Sequence, residues 1–260
     1  MNRTGLGIAL LVGACVGVVF GVYSQLDIAV SRLFFNEAYR VFPLQYSLVS
    51  RHLRDFFTYV IALLAAPAFI ALALKIMLPR RRMLIAPRAS LFLIATLALG
   101  PGLMANVIFK DNWHRPRPPE ITEFYGPEKF MPWWDPRGAC DRNCSFVAGE
   151  GAGGFWTLAP AALAPPAWRA ASYGAALLFG AAAGAQRLTG GAHFFSDVVF
   201  SGVFTFLIIW MVHGLIYRWP LTRISDEQVE RGIERVALPG YQAVERLVSR
   251  VRRARAGERP

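Results

Sequence analysis

This chain of 260 residues is poor in cysteine, histidine and charge: it has three Cys, four His and 17% Asp, Glu, Lys and Arg. So few cysteines exclude a disulfide-framed miniprotein. No histidine or second cysteine pair stands near Cys140 and Cys144, which argues against a zinc site. There is no internal repeat. No small-residue cleavage site precedes Gln25, so the apolar run from Leu6 to Tyr23 is expected to stay as an uncleaved first helix. Acidic residues are outnumbered, 17 against 28 basic, for a formal net charge of +11. A basic surface of that size would suit nucleic acid, but these cations are clustered beside apolar runs. Arg80, Arg81, Arg82 and Arg88 share one short loop, and Arg246, Arg250, Arg252, Arg253 and Arg255 lie in the tail. Such clusters mark the cytoplasmic side of a membrane protein and suit anionic lipid, so no nucleic-acid partner is expected.

What is abundant is apolar: 55% of residues are hydrophobic and the mean hydropathy is +0.37. This implies an all-α, polytopic membrane protein. Runs near the roughly 20 residues that a spanning helix needs lie at Gly5 to Tyr23, Phe56 to Leu78, Ala89 to Phe109, Gly149 to Ala164, Ala170 to Gln186 and Phe195 to Tyr217. The expected organisation is a six-helix membrane domain over 1–220, followed by a basic tail over 221–260. In the tail, residues 225–256 read as an amphipathic helix on the inner membrane surface, with a partly disordered basic tail as the alternative. Ser225 and Gln228 form the helix's capping box, and Val244, Leu247, Val248 and Val251 share one face.

With both termini cytoplasmic, the segments at 24–55, 110–148 and 187–194 fall outside. The long outer loop, Asp111 to Cys144, interleaves Trp113, Phe124, Tyr125, Phe130, Trp133 and Trp134 with charges. It reads either as an interfacial aromatic belt or as a lid over a lipid headgroup. Within it Cys140 and Cys144 are placed to form a short-range disulfide in an oxidising compartment, with two free thiols as the alternative. Cys15 lies in the first span, where burial in lipid or helix packing accounts for it.

Three segments on that outer side carry chemistry. His193 and Asp197 are four apart. If the sixth helix starts just before His193, both project from its first turn, and the carboxylate can orient the imidazole as a nucleophile requires. Lys110, Arg117 and Arg187 each stand at an outer helix end, where three buried cations are costly without an anion. A phosphoryl group supplies that anion and accepts their charge-assisted hydrogen bonds. Gly149-Glu150-Gly151 opens the fourth helix, whose free backbone N–H groups suit phosphate oxygens. Gly149 permits their close approach. His52, His114 and His213 read as structural.

These residues resemble the membrane branch of the type-2 phosphatidic acid phosphatase and vanadium haloperoxidase superfamily, over about residues 56–217. That family's pattern is Lys-x6-Arg-Pro, then Pro-Ser-Gly-His, then Ser-Arg-x5-His-x3-Asp. The resemblance implies that His193 forms a phosphohistidine, that Asp197 supports it, and that Lys110, Arg117 and Arg187 bind phosphate. It implies no metal ion and no cofactor. Two segments match; the middle one departs. Val147-Ala148-Gly149-Glu150 stands for Pro-Ser-Gly-His, so Ala148 replaces the phosphate-binding serine and Glu150 the general-acid histidine, while Gln186 replaces the serine before Arg187. Ser145 is a candidate to restore the hydroxyl. Glu150 serves as general acid only when protonated, and phosphate and cations pull its proton affinity in opposite directions. A pyrophosphate leaving group needs that proton less than an alkoxide does. The segments Asn112 to Pro118 and Asn143 to Glu150 are similar to the bacterial lipid A phosphatase subgroup, which has glutamate in the middle segment.

The expected function is therefore a phosphoric monoester hydrolase of the bacterial inner membrane, acting on a lipid phosphate, lipid A-like, at the periplasmic face. The alternatives are an undecaprenyl pyrophosphate or phosphatidylglycerophosphate phosphatase, and a degenerate protein that binds or moves phospholipids without hydrolysis.

Overall fold

The computed structural model describes residues 2–255, and among them there is helix and loop but no β-strand. Four helices are long and apolar enough to cross a membrane: α1 (Arg3–Val22), α3 (Leu48–Met77), α4 (Pro87–Asn112) and α8 (Phe195–Arg218). A helix satisfies its backbone hydrogen bonds within itself, which hydrocarbon demands. The Asn2 side chain caps α1 by accepting from the Gly5 N–H at 2.9 Å. Pro101 within α4 cannot donate to the helix ladder, and the stretch Ala98–Phe109 takes a π-helical register there.

The remaining two expected spans look different. The run Gly149 to Ala164 is broken at Thr157 into α5 (Gly149–Trp156) and α6 (Leu158–Ala162), neither long enough to cross a bilayer. The Thr157 hydroxyl donates back to the Gly154 carbonyl at 2.7 Å, and Pro160 brings no N–H to continue the helix. Helix α7 (Pro166–Thr189) has 24 residues but is built largely of Ala and Gly. Its glycines serve close approach: a Cβ on Gly180 would come within 2.4 Å of the Phe155 ring, and one on Gly184 within 2.2 Å of Val198.

The chain divides into two compact units, Met1–Leu64 with Ala95–His213, and Ala65–Ile94 with Gly214–Pro260. In the first, short α2 (Gln25–Arg32) leads into a loop whose Phe42 packs with Ile28, Ile121, Phe124, Phe130 and Phe194. The aromatics of the long loop are largely spent inside this unit. Phe124 and Phe130 are buried in that cluster, Trp113 donates to the Trp133 carbonyl at 2.7 Å, and Trp133 donates to the Gly17 carbonyl of α1 at 3.1 Å.

In the second unit, α9 (Asp226–Arg255) carries both hydrogen bonds of the expected capping box: Ser225 N–H to Gln228 Oε1 at 2.7 Å, and Gln228 N–H to Ser225 Oγ at 3.2 Å. The expected helix end at 256 lies outside the described residues. Lys75, 4% exposed, donates to the Pro79 and Arg81 carbonyls at 2.7 and 2.9 Å and pairs with Glu230 at 3.2 Å. Val244, Leu247, Val248 and Val251 of α9 are exposed.

Candidate active site

All of the expected site residues lie in the first unit. The last turn of α4 presents Lys110, the following loop Arg117, the start of α5 Gly149 and Glu150, the last turn of α7 Arg187, and the α7–α8 connection His193. Gly191 makes that connection turn, with φ +70; a Cβ there would also strike the Phe42 ring at 2.4 Å. Helix α8 starts at Phe195, two residues after His193, so the imidazole hangs ahead of the helix while Asp197 sits in its first turn.

His193 is fully buried. Its Nδ1 lies 2.6 Å from the Ser145 carbonyl oxygen, which can only accept, so Nδ1 carries the proton and Nε2 keeps its lone pair. Burial holds the imidazole below the usual histidine range, and the ring is neutral at pH 7. Nε2 is buried with no hydrogen-bond partner and faces Glu150 Oε2 at 3.9 Å.

Glu150 gathers the cations. Its Oε1 is 2.9 Å from Arg54 Nη2 and 3.5 Å from Arg187 Nε. Lys110 interacts electrostatically with Glu150, Arg117 and Arg187. The lysine also packs on the helix start, where a Cβ on Gly149 would fall 2.7 Å from its Nζ. Arg117 donates to the Asn143 carbonyl at 2.7 and 3.1 Å and to Asn143 Oδ1 at 2.9 Å. Asn143 lies inside the small loop closed by Cys140 and Cys144, which the structure joins as a disulfide. Arg51, Arg54, Arg117 and Arg187 line a cavity of about 270 Å³ together with Gln186 and Gly190. His193, Glu150 and Lys110 are not in its lining; Glu150 links the cavity's Arg54 and Arg187 to His193.

The structure reassigns two partners. Asp197 does not hydrogen-bond the imidazole: Asp197 Oδ2 is 3.9 Å from His193 Nδ1. The carboxylate instead accepts from Ser145 Oγ at 2.5 Å and from the Phe194 N–H at 2.8 Å, and it pairs with Arg115. Asp197 therefore acts on the ring through Ser145, whose carbonyl holds Nδ1. For the same reason Ser145 does not restore the hydroxyl that Ala148 lacks. Ala148 itself is buried against Leu188 and Val198.

Sequence reasoning missed three residues. Arg115, with no exposed side chain, bridges Asp197 and Asp27. It donates to Asp27 Oδ2 at 2.7 Å, to Ser196 Oγ at 2.9 Å and to the Met131 carbonyl at 2.9 Å, and stacks 4.3 Å over the Phe194 ring. Asp27 on α2 also accepts from the Ser196 N–H and hydroxyl at 2.9 and 2.5 Å. Burial pushes the Asp27 carboxyl up from its ordinary value while Arg115 pulls it back. Arg54, the third, lies just before the apolar run of the second span. The sequence signal for Arg115 was the doubled Arg115-Pro116-Arg117-Pro118; Asp27 left none.

A family model described as the PAP2 superfamily matches residues 89–224, more than half of the chain. The chain is similar to proteins named lipid A 4'-phosphatase. One from Francisella tularensis subsp. novicida is 42% identical over 132 residues, covering 50% of this chain and 60% of that protein. One from Rhizobium leguminosarum is 35% identical over 141 residues, covering 54% and 57%, and one from Rhizobium etli is 34% identical over 141 residues, covering 54% and 52%. The match thus spans 52% to 60% of the length of these relatives. No solved structure matches the chain at a significant level. The matched stretch carries Lys110, Arg117, Glu150, Arg187, His193 and Asp197, and the chain belongs to the PAP2 superfamily.

Proposed function

We propose that this chain is a membrane-embedded phosphoric monoester hydrolase that removes phosphate from an amphiphilic lipid of the lipid A type through a phosphohistidine on His193. One observation carries the reading. Three buried polar atoms that native proteins seldom leave unpaired, His193 Nε2, Arg187 Nε and Glu150 Oε2, have no hydrogen-bond partner and stand close to one another. A neutral nucleophile, a cation and an acid–base group are what phosphoryl transfer requires.

In the first step Nε2 attacks phosphorus, the P–N bond forms and the P–O bond to the lipid breaks. Lys110, Arg117 and Arg187 hold the phosphoryl oxygens, and a protonated Glu150 gives its proton to the leaving alkoxide. The Ser145 carbonyl, accepting from Nδ1, supports the positive charge that the ring acquires. In the second step Glu150 takes a proton from water, which attacks phosphorus and frees inorganic phosphate and His193.

The wider arrangement is part of the same proposal. The 1–220 segment is the membrane phosphatase domain, with α5–α6 and α7 completing six spans, and 221–260 is a tail whose helix rests on the inner membrane surface. Both termini are cytoplasmic and the site is periplasmic in a bacterial inner membrane. The Cys140–Cys144 disulfide supports that side, since such bonds persist in oxidising compartments. The exposed apolar residues of α9, beside Arg246 and Arg250, support the surface helix.

A second reading draws on the Arg54–Glu150 pair. A carboxylate in contact with guanidinium groups is in its ionised form and has no proton to give, which favours a lipid pyrophosphate, whose leaving group needs one far less than an alkoxide does. Purified protein assayed against lipid A, undecaprenyl pyrophosphate and phosphatidylglycerophosphate separates these. Phosphate release is expected from lipid A at the highest kcat/KM. Preference for undecaprenyl pyrophosphate supports the second reading, and saturable phosphate binding with turnover of none supports a lipid-binding or lipid-moving protein instead.

A further inference from the structure

Arg54 lies outside the residues that the PAP2 model matches and outside all three chemical segments, yet it makes the shortest of the ion pairs of Glu150, 2.9 Å to its Oε1. Its position is built. Gln186 Nε2 donates to Ser50 Oγ at 2.7 Å and to the Ser50 carbonyl at 3.2 Å, which pins the first turn of α3 to the last turn of α7. Phe57 packs edge-on against Phe179 two turns further along the two helices, with ring centroids 5.1 Å apart. One turn along α3 from Ser50, Arg54 reaches Glu150. Gln186, one of the departures from the family pattern, thus fixes the helix that supplies the partner of Glu150, another of them.

The carboxylate of Glu150 stands where a phosphoryl group would need to be: one oxygen meets Arg54 and Arg187, the other faces His193 Nε2. Two anions cannot share those partners without repulsion. A phosphate dianion is the stronger claimant, having more charge and more acceptor oxygens. Ala148, packed in the core, offers no donor to it.

Building on the phosphatase reading, we infer that Arg54 is a fourth phosphate-binding cation, paired with Glu150 in the free protein and transferred to a phosphate oxygen when a phosphorylated headgroup binds. The transfer frees Glu150 from its guanidinium partner beside a dianion, the setting in which a carboxyl group accepts a proton. Substrate phosphate therefore prepares the general acid that its own cleavage needs.

The test uses full-length protein in detergent with inorganic phosphate as the probe, and compares wild type with Arg54→Gln, Arg54→Lys, Glu150→Gln and the double variant Arg54→Gln with Glu150→Gln. Arg54→Gln is expected to weaken phosphate binding about ten-fold, the lower end for a charge-assisted hydrogen bond because the Arg54 side chain is 53% exposed, with Arg54→Lys in between. Glu150→Gln removes the competing anion and tightens phosphate binding, and does so less when Arg54 is already gone. A purely structural Arg54 would lower the melting temperature but leave no such coupling between the two positions. Phosphate affinity unchanged in Arg54→Gln, or an equal effect of Glu150→Gln in both backgrounds, overturns the assignment. Arg54-dependent phosphate binding in a protein that hydrolyses no lipid overturns the phosphatase reading while the Arg54 assignment stands. Wild type that binds no phosphate overturns both.

Discussion

His193→Ala lowers lipid phosphate release by at least about three orders of magnitude, the scale on which loss of a nucleophile acts, while the protein stays folded. Nδ1 is committed to the Ser145 carbonyl, burial keeps the ring neutral, and Nε2 is left with a lone pair and no hydrogen-bond partner. Alanine removes that lone pair. It also leaves the buried Ser145 carbonyl without its donor, a cost of about 1–3 kcal/mol, so the melting temperature falls as well. His193→Gln separates the two effects, because its amide can still donate to Ser145 but does not form the phosphoryl intermediate. Both variants are expected to be inactive, with the glutamine variant the more stable. Phosphate release above a tenth of the wild-type rate in either, measured on the preferred lipid, removes His193 from the nucleophile's role.

Arg115→Met destabilises the fold by about 3–5 kcal/mol, the cost of stranding buried charge. Arg115, Asp27 and Asp197 have side-chain exposures of 0%, 1% and 0%, so water neither screens nor replaces this triad. Methionine fills much of the volume but leaves two carboxylates facing each other without a cation. Their repulsion releases Ser196 from Asp27 and Ser145 from Asp197, and the seat of His193 goes with them. Activity and stability are therefore lost together, which sets this variant apart from His193→Gln. Adding Asp27→Asn removes one of the two stranded charges and is expected to recover part of the stability. A melting temperature for Arg115→Met equal to that of wild type contradicts the triad's role.

Much of the site was legible in the sequence because its spacing is local. Arg187, His193 and Asp197 lie within eleven residues across one helix junction. Apolar runs announce four of the helices to within a few residues at most ends, with Phe195 to Tyr217 against Phe195–Arg218 as an example. The start of α3 is the exception: Leu48 rather than Phe56, because Arg51 and Arg54 look like the end of a span but continue the helix into the site. The capping box of α9 was legible for the same reason, being a contact between residues three apart. What stayed hidden depends on distant pairing. Asp27 meets Arg115 across 88 residues and Ser196 across 169, and a single aspartate in a short polar segment looks solvated. Arg115 looks like a second copy of Arg117, yet the fold sends one into the core and the other to the cavity. The pairing of Asp197 with His193 was read from their spacing, but spacing cannot tell a direct contact from one relayed through the carbonyl of Ser145.

The proposed mechanism requires a covalent bond between phosphorus and His193. Rapid mixing with lipid substrate, quenching in base to preserve the acid-labile P–N bond, and mass spectrometry of the digested protein tests it most directly. One phosphoryl group is expected on the peptide containing His193, appearing before free phosphate does and absent from His193→Gln. Steady turnover with no phosphoryl group on that peptide at any time point contradicts it.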